Sequence, residues 1–153
     1  MNDERSLAGR SVVGVGDGAN VFLPVAAGLA VGVGELAAPL VVRWLDAVTV
    51  QSLFLAVIAA VYIGLAVADG RPKVIAVEST VAAAFVLLAA VTVVAPVALL
   101  ALAYALHGLK DFWQHRTQFV ATTRWWPPFC AAVDWVVAAA LLFSVMAGID
   151  LRR

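Results

Sequence analysis

The stretch HGLKDFWQHR, residues 107–116, places His107, Asp111 and His115 at four-residue intervals at the end of a long apolar segment. An imidazole and a carboxylate one helical turn apart face the same way. Such a pair can share a proton, ligate a cation, or work as acid and base. Other polar groups in apolar surroundings are Tyr62, Asp69, Glu78 and Asp134. An ionisable group at membrane depth is costly unless paired or hydrated, so each is a candidate for function.

Helical projection sorts these residues into faces. Tyr104, His107, Asp111 and His115 fall within about 80° of one another if one helix continues through Trp113. Gln51, Tyr62 and Asp69 share a stripe, and Glu78 shares one with Phe85 and Thr92. Cys130 and Asp134 lie one turn apart, with Ser144 and Gly148 continuing their face. The candidate ligand-binding set is therefore Tyr62, Asp69, Glu78, His107, Asp111 and Asp134.

Three readings of this set stay open. In the first, the acids pair with Arg71, Lys73, Lys110 or Arg116 and only fix helix register, leaving a structural or assembly subunit without its own chemistry. In the second, His107, Asp111, Glu78 and Asp134 supply nitrogen and oxygen ligands for a divalent transition metal. His107 and His115 are about 12 Å apart along one helix, too far to chelate one ion together. In the third, Asp, Glu and His bind or relay protons or a small ligand, with Glu35, Gln51, Thr92 and Ser144 the polar groups toward the other side. A membrane-embedded enzyme of metal-assisted or acid–base type, acting on a lipid-like substrate, is the alternative to a binding protein.

The elements that must position these residues follow from composition. Of 153 residues, 64% are hydrophobic and 13% charged, and the mean hydropathy is +1.00. That places the chain among multi-span membrane proteins, with the lipid bilayer as its first partner. Ten Lys and Arg balance ten Asp and Glu, so there is none of the basic excess that nucleic-acid binding requires. The single cysteine, Cys130, excludes an intrachain disulfide framework.

A helix needs about twenty apolar residues to cross the hydrocarbon core. Windows at 21–42, 50–68, 74–95, 96–112 and 129–149 meet or approach that length. They predict an all-α integral membrane bundle of four to five transmembrane helices, forming one domain over 21–153. Pro24, Pro39 and several glycines predict a bend in the first window, and Pro96 starts the fourth. Residues 1–20 read as a polar, flexible lead-in. Asp3 and Glu4 argue against a cleavable signal there, and Gly14, Gly16 and Gly18 are followed by a membrane span rather than a βα unit. Gly28, Gly32 and Gly34 are small enough for close helix contact.

Orientation follows from lysine and arginine. Seven (Arg5, Arg10, Arg71, Lys73, Lys110, Arg116, Arg124) fall on one side against three (Arg43, Arg152, Arg153) on the other. The N-terminus and the loop at 113–128 are expected inside, the C-terminus outside. Asp69, Glu78, His107, Asp111 and Asp134 then share the cytoplasmic leaflet, as a polar pocket opening toward the cytoplasm. Lys110 and Arg116 read as interfacial anchors, and His115 as part of the rim. The small size is compatible with a homo-oligomer.

Tyr62-Ile63-Gly64, Asp69-Gly70, Glu78, His107-Gly108-x-x-Asp111, His115 and Pro127-x-Phe129-Cys130-x-x-x-Asp134 occur in this order. In these elements the chain resembles an uncharacterised family of small bacterial multi-pass membrane proteins, a domain of unknown function, over roughly its last two-thirds. The resemblance implies a bacterial inner-membrane location and the same choice of residues, without an activity. The family pattern closes His-Gly-x-x-Asp with two adjacent histidines where this chain has Gln114 and His115, which weakens a histidine-rich metal centre.

Overall fold

A computed structural model of the chain describes residues 21–121 and 124–152; the lead-in expected over 1–20, with its glycines, lies outside them. The described residues fold as an all-α bundle without strands. Its helices are α1 (Phe22–Glu35), α2 (Ala38–Val41), α3 (Ala47–Asp69), α4 (Pro72–Thr92), α5 (Val97–Thr117) and α6 (Trp126–Met146).

Four stretches, Phe22–Val41, Ala47–Asp69, Pro72–Thr92 and Trp126–Met146, are long and apolar enough to cross a membrane, the property of a multi-pass membrane protein. Large apolar side chains point outward: Val57 is 61% exposed, Leu87 69% and Phe143 63%. Many buried positions are alanines, among them Ala59, Ala66, Ala82, Ala89 and Ala103. Small residues inside and large ones outside suit a solvent as apolar as leucine, where helices associate by close packing.

The first window does break. Pro39 has no N–H to give to the carbonyl four residues back, that of Glu35, and its ring crowds that carbonyl. α1 accordingly ends at Glu35, and the freed Glu35 oxygen accepts from Gln51 Nε2 on α3 at 3.2 Å. α3 starts before Val50, because Asp46 caps it: its carboxylate accepts from Thr49 N at 3.0 Å and Thr49 Oγ1 at 2.6 Å. Gly70, at φ 78°, ends α3 in the left-handed conformation, and Pro72 follows in the first turn of α4.

α5 runs past Phe112 to Thr117, so the connection expected over 113–128 shortens to 118–125. The added turn carries Gln114, whose buried side chain lies on the helix face that looks into the bundle. At the opposite end the last described residues, Leu151 and Arg152, return to the bundle. Arg152 donates to the carbonyls of Val93 and Ala95, satisfying the C-terminal end of α4, where a cation is favoured.

Backbones approach most closely within α3–α4, α5–α6 and α1–α6 and stand farther apart between the α3–α4 and α5–α6 pairs. Gly28 and Gly32 set the α1–α6 contact: a Cβ on Gly28 would lie 2.8 Å from that of Ala132, and one on Gly32 3.1 Å from that of Val136. Gly34 meets nothing within 4 Å. The wider seam between the two hairpins is filled by long polar side chains toward one end and by apolar ones, among them Leu55 and Leu100, toward the other.

Candidate functional site

α5 builds the seam from four positions, His107, Lys110, Asp111 and Gln114, spaced i, i+3, i+4 and i+7 along one face. Tyr62 from α3, Glu78 from α4 and Asp134 from α6 meet them. His107, Asp111, Glu78, Asp134, Tyr62 and Gln114 are each at most 2% exposed.

His107 Nδ1 lies 2.8 Å from Asp134 Oδ2 and 3.6 Å from Asp111 Oδ2. One ligand atom from each of His107, Asp111 and Asp134 falls within 4.8 Å of the others. Gly108 permits this approach, since a Cβ there would stand 3.2 Å from that of Asp134. The imidazole is also held by aromatic edges, Phe85 at 4.8 Å and Tyr62 at 5.9 Å between ring centroids.

The second half of the cluster surrounds Lys110. Its Nζ stands 3.4 Å from Glu78 Oε2 and 3.4 Å from Asp111 Oδ1, and 2.9 Å from the centroid of the Tyr62 ring. Gln114 Nε2 donates to Glu78 Oε1 at 2.6 Å. Lys110, expected as an interfacial anchor, is thus inside the site: its side chain is only 14% exposed. Two carboxylates and the face of the Tyr62 ring hold the ammonium there, outweighing the gain from reaching the interface.

Ionised together beside a neutral imidazole, Glu78, Asp111 and Asp134 carry a charge that Lys110 balances only in part. Among the described residues several buried atoms also have no hydrogen-bond partner: Asp111 Oδ2, Asp134 Oδ1, Gln114 Oε1, Tyr62 Oη and Glu78 Oε2, the last with only the ion-pair contact to Lys110. All but the tyrosine hydroxyl can only accept. Such acceptors call for a cation, protons or water.

The expected opening toward one side is absent among the described residues. One turn nearer that end, Ala66, Val74 and Val120 form a small apolar cluster, with Leu65, Ile75 and Phe119 packed against it. Asp69 belongs to this closure and stands apart from the buried cluster. Its Oδ2 accepts from the Ala121 amide at 2.8 Å, and Arg71 donates to Asp69 Oδ2 at 2.8 Å and to the Phe119 carbonyl at 2.6 Å. The pair ties the α5–α6 connection over the α3–α4 turn. The main apolar core, including Leu55, Leu100, Tyr104 and Val137, lies toward the other end.

In that direction Tyr104 makes a separate polar group. Its hydroxyl lies 2.8 Å from the Gln51 carbonyl, 3.1 Å from Glu35 Oε1 and 3.3 Å from Gln51 Oε1; one hydroxyl proton serves one of them at a time. Ser52 and Thr92 share a hydrogen bond at 3.0 Å. His115 is half-buried on the flank of α5 away from this seam, and Ser144 bonds its own helix at the Ala140 carbonyl.

Sequence reasoning missed Gln114 as a member of the cluster and carried Lys110 only as an interfacial anchor or as one of four possible partners for the acids. Their signal was the full i, i+3, i+4, i+7 stripe, in which both fall beside His107 and Asp111. No family model matches the chain, and neither the curated proteins nor the solved structures hold a significant match.

Proposed function

We propose that this membrane protein binds a divalent transition-metal cation within the bilayer, with His107, Asp111 and Asp134 as its ligands. The observation that carries the reading is the convergence of one imidazole nitrogen and two carboxylate oxygens within 4.8 Å, from two helices and buried. A tetrahedral ion with bonds of about 2.0–2.1 Å sets its ligand atoms roughly 3.4 Å apart, close enough that small side-chain rotations would close the set. The unpartnered oxygens of Asp111 and Asp134 support it. Binding displaces the proton that His107 Nδ1 otherwise shares with Asp134. Three protein ligands leave a fourth position for water or a substrate, as in catalytic rather than closed structural sites.

By the positive-inside rule, the end carrying Arg71, Lys73, Arg116 and Arg124 faces the cytoplasm, so the site sits in the cytoplasmic half of the bundle. A bacterial inner membrane accords with the sequence resemblance.

Elemental analysis of the full chain purified in detergent tests this. One zinc, iron or manganese per chain is expected in the wild type and almost none in His107→Gln or Asp134→Asn, with helical content by circular dichroism unchanged. Metal at equal, substoichiometric levels in all three proteins would overturn it.

A second reading is that protons take up the excess charge, favoured by Lys110, which already supplies an internal cation between Glu78 and Asp111. It predicts metal-free protein whose pH-driven proton flux in liposomes disappears in Asp111→Asn. Metal-free protein without flux would leave the structural reading.

A further inference from the structure

α1 and α5 both pack on α6 but hardly touch one another. Gly28 and Gly32 draw α1 onto one side of α6, and Gly108 draws α5 onto the other, leaving a groove between them with α6 as its floor. The groove has a volume of about 590 Å³, within the roughly 300–1,000 Å³ range of small-ligand sites.

Its lining is sorted by polarity along its length. Val25, Leu29, Val136 and Ala139 make a wholly apolar wall, while His115 and Arg116 are the ionisable residues that line it. Arg116 precedes the last residue of α5, level with the start of α1 and the first turn of α6. From there to Ala139 the α6 floor runs about 20 Å into the bundle. One end of the groove therefore lies at the membrane–water interface and carries positive charge. The other lies at the depth of acyl chains.

Among the described residues the basic end also lacks polar partners. Among the described residues no carboxylate stands within ion-pair distance of Arg116; its guanidinium rests 4.9 Å from the Phe112 ring. His115 Nδ1 is buried without a hydrogen-bond partner.

We infer that the groove between α1, α5 and α6 binds one anionic phospholipid, its phosphodiester against Arg116 and His115 and an acyl chain along Val25, Leu29, Val136 and Ala139. A guanidinium is suited to phosphate by its fixed fork of donors, and cationic side chains at this level attract anionic lipids. An uncharged amphiphile would leave Arg116 unanswered, and a soluble anion would leave the apolar wall open to lipid tails. None of the lining residues belongs to the buried His107 cluster, so this inference stands or falls separately from the cation reading.

The test is native mass spectrometry of the delipidated full chain in detergent micelles. It is titrated with phosphatidylglycerol or with phosphatidylcholine of the same acyl length. The wild type is expected to carry one phosphatidylglycerol with about fivefold preference over phosphatidylcholine, the effect of roughly one interfacial cation. Arg116→Gln should abolish the preference while leaving weak binding of both lipids. Ala139→Trp or Val25→Trp, which fill the apolar wall at exposed or half-buried positions, should remove the single adduct of either lipid. Equal adducts of the two lipids on the wild type, or an undiminished phosphatidylglycerol adduct in both filled variants, would overturn the proposal. So would a wild-type dimer without lipid preference that Ala139→Trp converts to monomer, which would assign the groove to a second copy of the chain.

Discussion

Gln114 Nε2 donates to Glu78 Oε1 at 2.6 Å, joining α5 to α4 inside the bundle. Both side chains are at most 2% exposed, so neither has water as an alternative. Gln114→Leu keeps the volume and removes the donor, leaving a buried carboxylate oxygen short of a partner. A stability loss of about 1–3 kcal/mol is expected, read by denaturant unfolding in detergent micelles. A loss below roughly 0.5 kcal/mol would mean that Glu78 does not depend on this bond.

Lys110 and Glu78 are coupled at 3.4 Å. Lys110→Met alone leaves three carboxylates with no ammonium among them, whereas Lys110→Met with Glu78→Gln removes a charge of each sign. The double variant is expected to be more stable than the sum of the single losses predicts, by about 1–3 kcal/mol in a double-mutant cycle. Strict additivity would show that the two charges do not interact.

The α5–α6 contact depends on a missing side chain at Gly108. A Cβ there would meet Trp135 Nε1 at 2.5 Å and the Asp134 Cβ at 3.2 Å. Trp135, at 46% exposure, can swing outward, but Asp134 is fixed in the site. Gly108→Leu should therefore cost about 1–3 kcal/mol as an overpacked contact. Gly64→Leu, where nothing lies within 4 Å, should leave stability unchanged or slightly raised. Equal effects of the two substitutions on unfolding would contradict the close packing of α5 on α6.

Pro39 and Gln51 act on one oxygen. Gln51→Leu removes the donor to the Glu35 carbonyl and is expected to cost about 1 kcal/mol. In a Pro39→Ala background the restored amide can bond that carbonyl itself, so the same Gln51→Leu change should cost clearly less. An identical cost in both backgrounds would disconnect the break in the first span from Gln51.

The cap at Asp46 is a pH-dependent element outside the spans. Burial is the largest single influence and raises its pKa, but the bonds from Thr49 Oγ1 and N, with those from the backbone of Asp46 and Val48, together outweigh it and hold the pKa below the ordinary 3.8. A depressed folded-state pKa contributes stability that is fully present above the unfolded value and lost as pH falls through the folded one. Asp46→Ala should therefore cost about 1 kcal/mol near pH 7, with the gap to wild type closing as pH drops below roughly 4. A gap that persists at lower pH would assign the effect to packing.

Much of this architecture could be read directly from residue order. Runs of about twenty apolar residues demand helices, because an unpaired backbone cannot cross hydrocarbon, and Pro39, Gly70 and Pro72 mark where those helices bend, end and restart. The four-residue spacing of His107 and Asp111 likewise guarantees a shared face on any continuous helix. Which groups meet across helices was a different matter. Lys110 and Asp69 are both polar residues near span ends, and hydropathy treats them alike. Only the packed bundle separates them, drawing Lys110 inward between Glu78 and Asp111 and leaving Asp69 with Arg71 and the Ala121 amide. Periodicity fixes direction around one helix axis. Contact between axes depends on where small residues such as Gly28, Gly32 and Gly108 let backbones close and where long side chains hold them apart, and that is settled only when all the helices pack together.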